Sequence, residues 1–486
     1  MSTSDFARHP SRLFPRRSAL QSFSALAALA SMGALTGCSH GSPDKVRDDA
    51  LAKIDWLPST MTTESVSLDG QRATTAAAAC AGIGASMLST RLRDDGAANA
   101  LSCPIGIALI MALLYAGAES PGEGVNAALG LGADADAQTR DSTWSAVQQT
   151  LQRFDVTDTQ QLRDFDPEAI PDTPLLHIAN NILAIGDKTV INQEYLDSAK
   201  RWYASDLGRV PVDDAKAALD AWANLHTGGL IKESGIDIDP SMRLVAQNAL
   251  LFAARWAVPF KAEDTRQGAS FTLADGSAST ADLMTGTGSY TLVTGKGWRA
   301  LRLPYSAGPE STATASGSDS SSSSNLVMDI ILPDDIGSPT DLPPTTWSEA
   351  TQLLTAQAHQ TAGNATVHLR LPRLNLSSKP TDLTGVVKSL GVRLGFQDHI
   401  APDLLVGQIV QQVKLVVAEA GTVAAALTEI KIRTGAPPRP EEPIDFTVDH
   451  PYVLRIVDLT TGIALIEAAI LDPAAGPQLP PPAPAE

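Results

Sequence analysis

The segment Val413–Arg433, close to the C-terminal end, constrains this chain more than any other. It reads Val-Lys-Leu-Val-Val-Ala-Glu-Ala-Gly-Thr-Val-Ala-Ala-Ala-Leu-Thr-Glu-Ile-Lys-Ile-Arg: a buried-strand pattern, a glycine, and a run of small residues. A polar, Pro-rich stretch then leads to Pro443. Alternate side chains of a strand point to opposite faces. If a strand resumes at Thr422, one face carries Thr422, Ala424, Ala426 and Thr428, all small and uncharged. The other carries Val423, Ala425, Leu427 and Glu429. Such a segment can slide beneath covering structure without clash, and Gly421 supplies the bend by which the chain leaves its sheet. The polar residues beyond it nevertheless read as exposed loop. The pattern is that of a strand held in reserve.

Motifs of catalysis are missing. There is no Gly-x-Ser-x-Gly elbow, and none of the 8 His is followed by Glu, so the zinc helix His-Glu-x-x-His does not occur. No two Cys are separated by two residues, and no Gly-x-x-x-x-Gly-Lys loop is present. An enzymatic reading is therefore subordinate, and no cofactor or metal site is expected. The net charge of −18 argues against a nucleic-acid partner.

Several further segments agree with one another in order. Leu101–Ala118 contains a run apolar on every side with Pro104 at its start, which predicts a buried helix. Ala73–Arg93, Asn192–Tyr203 and Ala217–Leu225 have helical character, and Leu175–Ile185 is strand-like. Asn248-Ala-Leu-Leu-Phe252-Ala-Ala-Arg-Trp256-Ala-Val-Pro259-Phe260 is followed by Phe271, Asp275-Gly276, Met284, Leu301–Tyr305 and Leu326–Asp334. Beyond the Pro-rich stretch lie Ile444–Asp458 and Thr461–Pro473.

Together these resemble the serpin family over roughly residues 70 to 473. Glu419-Ala-Gly421-Thr422 and the alanines after it resemble the hinge of a serpin reactive-centre loop. Asn248–Phe260 resembles a serpin strand motif, and Leu101–Ala118 resembles the second serpin helix. The resemblance implies an α+β fold of three β-sheets, eight or nine helices and a protruding loop over residues 421–443, in a serpin domain spanning 60–473. It implies a monomeric inhibitor of serine, or in some cases cysteine, proteases, working by loop cleavage, acyl-enzyme trapping and strand insertion. The hinge residues are then Glu419, Gly421, Thr422, Ala424, Ala426 and Thr428. Family spacing from Gly421 puts the scissile bond between Gly435 and Ala436, with Arg433–Thr434 as the alternative. The first suits an elastase- or subtilisin-like protease and the second a trypsin-like one. Cys103, Gly106, Asn248, Trp256 and Gln411 fall in the region that governs sheet opening. There Cys103 and Gly106 replace the family's serines, and Gln411 stands near its histidine. The other reading is a non-inhibitory, surface-anchored binding or structural protein of the same fold.

Residues 1–37 read as an export signal: Arg8, Arg12, Arg16 and Arg17 form a basic head before the uncharged stretch Ala19–Leu35. The sequence Leu35-Thr-Gly-Cys38 resembles a bacterial lipoprotein site, which would make Cys38 the lipidated anchor of an exported protein on the outer membrane or cell surface. Residues 38–59 are expected to form a tether, 306–325 a flexible Ser-rich insertion, and 474–486 a disordered Pro/Ala tail. Cys80 and Cys103 either pair or remain buried thiols.

Overall fold

The computed structural model describes residues 43–166, 169–186, 190–239, 241–308, 323–360, 363–378, 380–406, 408–422 and 442–480. The helices are α1 (Pro43–Leu51), α2 (Gly70–Asp94), α3 (Pro104–Leu114), α4 (Val125–Ala128), α5 (Ala137–Leu151), α6 (Thr159–Arg163), α7 (Gln193–Tyr203), α8 (Val212–His226), α9 (Thr345–Ala358) and α10 (Thr384–Ser389). The strands open with β1 (Asp55–Leu57), β2 (Ala100–Ser102), β3 (Leu175–Ile185), β4 (Leu207–Val210), β5 (Leu244–Arg255) and β6 (Arg266–Thr272). Next come β7 (Ala278–Gly295), β8 (Trp298–Ser306), β9 (Ser323–Pro333), β10 (Asn364–Pro372), β11 (Leu374–Ser377) and β12 (Thr381–Asp382). The last are β13 (Gln408–Gln411), β14 (Lys414–Ala418), β15 (Gly421–Thr422), β16 (Ile444–Thr447), β17 (Tyr452–Asp458) and β18 (Ile463–Ile470).

The α+β class holds. One sheet runs β1-β4-β3-β5-β15-β14-β11, with β13 also paired to β5 and β12 to β13. The other runs β16-β10-β7-β8-β9-β17-β18-β2, with β6 on β7. Two of the three expected sheets are continuous here because β7 serves both. Its Leu283–Thr291 stretch pairs with β10, and Thr291–Gly295 pairs with β8.

Burial explains the central helix. All 11 residues of α3 are buried, as its all-round apolar sequence requires, and Pro104 occupies its first turn, where a missing N–H costs nothing. α3 packs against both β5 and β18, so it lies between the two sheets. α2 starts at Asp69, whose carboxylate accepts from the Arg72 amide at 2.8 Å, and packs on α3. In α7 the helical recurrence of Tyr195, Ala199 and Trp202 marks the buried face.

α8 lies on the first sheet. Its Ala215, Ala218 and Leu219 share a core with Leu183 and Ile185 of β3 and Val245 of β5. Gln247 of β5 donates to the Leu219 carbonyl at 3.2 Å. At the helix end, His226 Nδ1 is 2.9 Å from His177 Nε2, and His177 Nδ1 is 2.6 Å from Asp155.

Two segments expected to be loose are structured. Within the expected tether, residues 43–57 fold as α1 and β1, because Leu51 and Ile54 find apolar cover beside α8 and the sheet. Of the expected disordered tail, Ala474 and Ala475 join Pro473 in a 3₁₀ turn, and Arg373 Nη2 donates to the Pro480 carbonyl at 3.0 Å. β9 begins at Ser323, inside the expected insertion, while residues 309–322 lie outside the described residues.

Candidate functional site

A slot one strand wide is the feature around which the sequence-identified residues gather. β5 and the β13–β14 segment run parallel, and β13 pairs with β5 directly at one end, Gln408↔Val245 to Val410↔Gln247. At the other end β15 lies between them, antiparallel to both: Gly421↔Arg255 and Thr422↔Ala254 on one side, Ala418↔Gly421 and Val417↔Thr422 on the other. Between these ends a cleft, partly open to solvent, is lined by Asn248, Leu250 and Phe252 of β5 and by Gln412–Val416. A strand continuing from Thr422 would find antiparallel partners on both sides.

The hinge end is closely fitted. A Cβ on Gly421 would come within 2.2 Å of the Ala254 carbonyl oxygen, so only glycine seats there. Thr422 is buried, with Oγ1 2.6 Å from the Tyr305 hydroxyl. Tyr305 stacks on Trp256 with centroids 4.7 Å apart, and burial pushes its hydroxyl pKa well up. Trp256 donates from Nε1 to the Ala418 carbonyl at 2.9 Å and from its amide to Ala420 at 3.0 Å. Glu419 accepts from Thr265 Oγ1 at 2.8 Å and lies 3.2 Å from Arg373 Nε.

At the other end the polar ties are amides. Gln411 grips the backbone of Cys103: it accepts from the Cys103 amide and donates to the Cys103 carbonyl, each at 2.9 Å. That links β13 to the start of α3. Asn248 donates to Asn180 Oδ1 at 2.9 Å, and its own Oδ1 fills the space beside Gly106, where a Cβ would meet it at 1.9 Å. A glycine at 106 is thus what lets Asn248 reach its place. Cys103 and Cys80 are both buried and free, and burial pushes the Cys103 thiol up to about 12.

The expected sheet-opening group therefore divides. Cys103, Gly106, Asn248 and Gln411 meet at one end of the slot, whereas Trp256 sits at the other with Glu419, Gly421 and Thr422. Ala424, Ala426, Thr428, Arg433, Thr434, Gly435, Ala436 and Cys38 lie outside the described residues. Sequence reasoning missed Arg373, Tyr305, Thr265 and Asn180. Arg373 is a cation inside the strand-like run Val367–Leu376, a signal that was there to be found. Thr265 and Asn180 carry no local signal, since their partners are distant in the chain.

Among the described residues no helix is long and apolar enough to cross a membrane, and no His/Cys/Asp/Glu group could hold a metal ion.

Comparison with known proteins adds an independent line. The family model described as Serpin (serine protease inhibitor) matches residues 79–473. An uncharacterized serpin-like protein of Thermococcus kodakarensis is 25% identical over 327 residues, covering 63% of this chain and 68% of that one. Mouse leukocyte elastase inhibitor A is 29% identical over 324 residues, 61% of this chain and 78% of its own. Among solved structures, the thermophilic serpin tengpin in its native state has a TM-score of 0.67 at 16% identity, covering 86% of this chain and 100% of its own. Human thyroxine-binding globulin complexed with thyroxine has a TM-score of 0.64 at 16% identity, covering 83% of this chain and 100% of its own.

Proposed function

Because the chain belongs to the serpin family, we propose that it inhibits serine proteases by presenting the segment after Thr422 as a substrate and then inserting it between β5 and β14. The observation that supports this reading is the seating of Gly421–Thr422 between those strands, above a cleft in which none of the described residues forms a strand.

The protease's serine oxygen attacks the scissile carbonyl. The amide C–N bond breaks, the new amine leaves with a proton on the C-terminal fragment, and an ester joins the two proteins. The freed segment zips downward from Thr422 and pairs with β5 and β14. The attached protease is drawn along, and deformation of its oxyanion hole leaves the ester unhydrolysed.

The favoured scissile bond is Gly435–Ala436, which suits an elastase- or subtilisin-like protease. Arg433–Thr434 would attract a trypsin-like enzyme but shortens the tether by about 7 Å, two residues of strand rise. That enzyme cleaves Arg433 mainly as a substrate. Cys38 carries the lipid that holds the exported protein at the cell envelope.

A second reading draws on the amide ties at Cys103 and Asn248, which brace the slot where the family uses hydroxyls and a histidine. If they hold the sheet shut, the protein is a surface-anchored, non-inhibitory member of the fold. Incubation of the purified protein with elastase, subtilisin and trypsin separates the two. An SDS-resistant complex releasing a peptide that begins at Ala436 supports inhibition through Gly435. A stable complex releasing a peptide that begins at Thr434 moves the bond to Arg433. Cleavage by all three without any complex supports the second reading.

A further inference from the structure

We propose that residues 43–57 form a clamp on α8 that slows the entry of a strand between β5 and β14; the inference rests on the reading of the protein as an inserting inhibitor.

α8 and the loop after it cover the slot. Thr227, Leu230 and Ile231 line the cleft between the strands. A second cavity is lined by Trp222 and Ala223 of α8 together with Gln247, Asn248 and Val410. A strand cannot enter fully until β5 and β13 part and this cover lifts. Whatever ties α8 down therefore sets part of the barrier.

The N-terminal segment ties it at several points. α1 packs along α8, and Leu51 joins the apolar clusters at both Ala215–Leu219 and Leu225. Ile54 is 6% exposed and completes the core that α8 shares with β3 and β5. A Cβ on Gly208 would come within 2.3 Å of the Ile54 side chain, so this glycine is what admits it. β1 then pairs with β4, Asp55↔Arg209 to Leu57↔Leu207, and Asp55 binds the Arg209 guanidinium at 2.8 Å. Polar ties reinforce the contact: Arg47 donates to Asn224 of α8 at 3.4 Å, and Asp48 pairs with Arg163 of α6. One continuous segment thus fastens α8 to the edge of the sheet that must open.

The test compares full-length protein with two variants, Leu51→Ala/Ile54→Ala and the polar-tie variant Arg47→Ala/Asp48→Ala. A control, Leu354→Ala, removes a buried side chain of α9, which packs on the other sheet. Each protein is first checked by circular dichroism, and its loop is then nicked with subtilisin. The rate at which heat-resistant protein accumulates is recorded. The clamp predicts a roughly tenfold faster rate in the first variant, a smaller gain in the second, and no gain in the control. Conversion of the clamp variants at the parent rate, or an equal gain in the control, overturns the clamp and leaves the insertion reading intact. If neither parent nor variants convert after nicking, the insertion reading fails and the clamp fails with it. If the variants convert and the parent does not, the clamp is supported in its strongest form.

Discussion

The Tyr305 hydroxyl lies 2.6 Å from Oγ1 of Thr422, so the last described residue of the proposed hinge is already hydrogen-bonded inside the sheet, 117 positions away in the chain. The hinge therefore starts from a seated pair of residues, and its first inward side chain is fixed by a buried partner.

Replacing Thr422 with arginine should abolish trapping while leaving the loop cleavable. The side chain at 422 is 1% exposed, and an unpaired charge there costs several kcal/mol to bury. Gel analysis with subtilisin should show cleaved inhibitor and no covalent complex. A complex formed at the parent rate would refute the assignment of Thr422 to the inward face.

Gly421→Ala should loosen the hinge. The new methyl would meet the backbone oxygen of Ala254 at 2.2 Å, and a backbone inside a sheet yields little. A loss of roughly 1–3 kcal/mol is expected for the uncleaved protein, read from urea unfolding, together with faster cleavage of the loop. Unchanged stability would mean that β15 is not seated in solution.

Acid should weaken α8. His226 carries the end of that helix, and burial, reinforced by neighbouring His177, pushes its pKa down to about 3. The ordinary value is near 6.5, so the unfolded chain takes up a proton that the folded one refuses. The stabilising contribution is present above pH 6.5 and is lost as the pH falls toward 3. Between pH 7 and 4 the loss should be at most roughly 3 kcal/mol, since the ring is partly exposed. His226→Gln, which does not titrate, should flatten that part of the urea-midpoint profile. A variant that keeps the full slope would show that the acid sensitivity arises elsewhere.

Cys38→Ser should release the protein from membranes. Acylation of Cys38 is the only anchor that the sequence suggests, and stable attachment requires more than one chain. Fractionation should find the parent in membranes and the variant in the soluble fraction. Equal retention of both would exclude a lipid at Cys38.

Local patterning carried much of the fold into view. The all-apolar run after Pro104, the Tyr195–Ala199–Trp202 recurrence and the Leu175–Ile185 strand each became the expected element, because burial on one side or all sides leaves a periodic trace. The N-terminal segment was missed for the opposite reason. Its Leu51 and Ile54 lack periodic company, and what makes them structural is a surface built by α8, β3 and β4. At the site, Thr422 was legible from small-residue alternation. Gly421, expected to be the bend out of the sheet, instead lies within β15 and the turn falls at Glu419–Ala420, because the close approach of Ala254 leaves room for glycine alone. The division of Trp256 from Cys103, Gly106 and Gln411 was not, because β5 is long enough to carry Asn248 and Arg255 to opposite ends of the slot. Thr265 reaches Glu419 across a long chain separation, which no spacing rule encodes.

Scanning calorimetry of the intact protein and of the protein cut once in its loop tests the central claim most directly. Filling the slot adds a strand hydrogen-bonded on both sides, and a melting temperature well above that of the intact form is the result expected. A cleaved form that melts at or below the intact temperature would contradict insertion between β5 and β14.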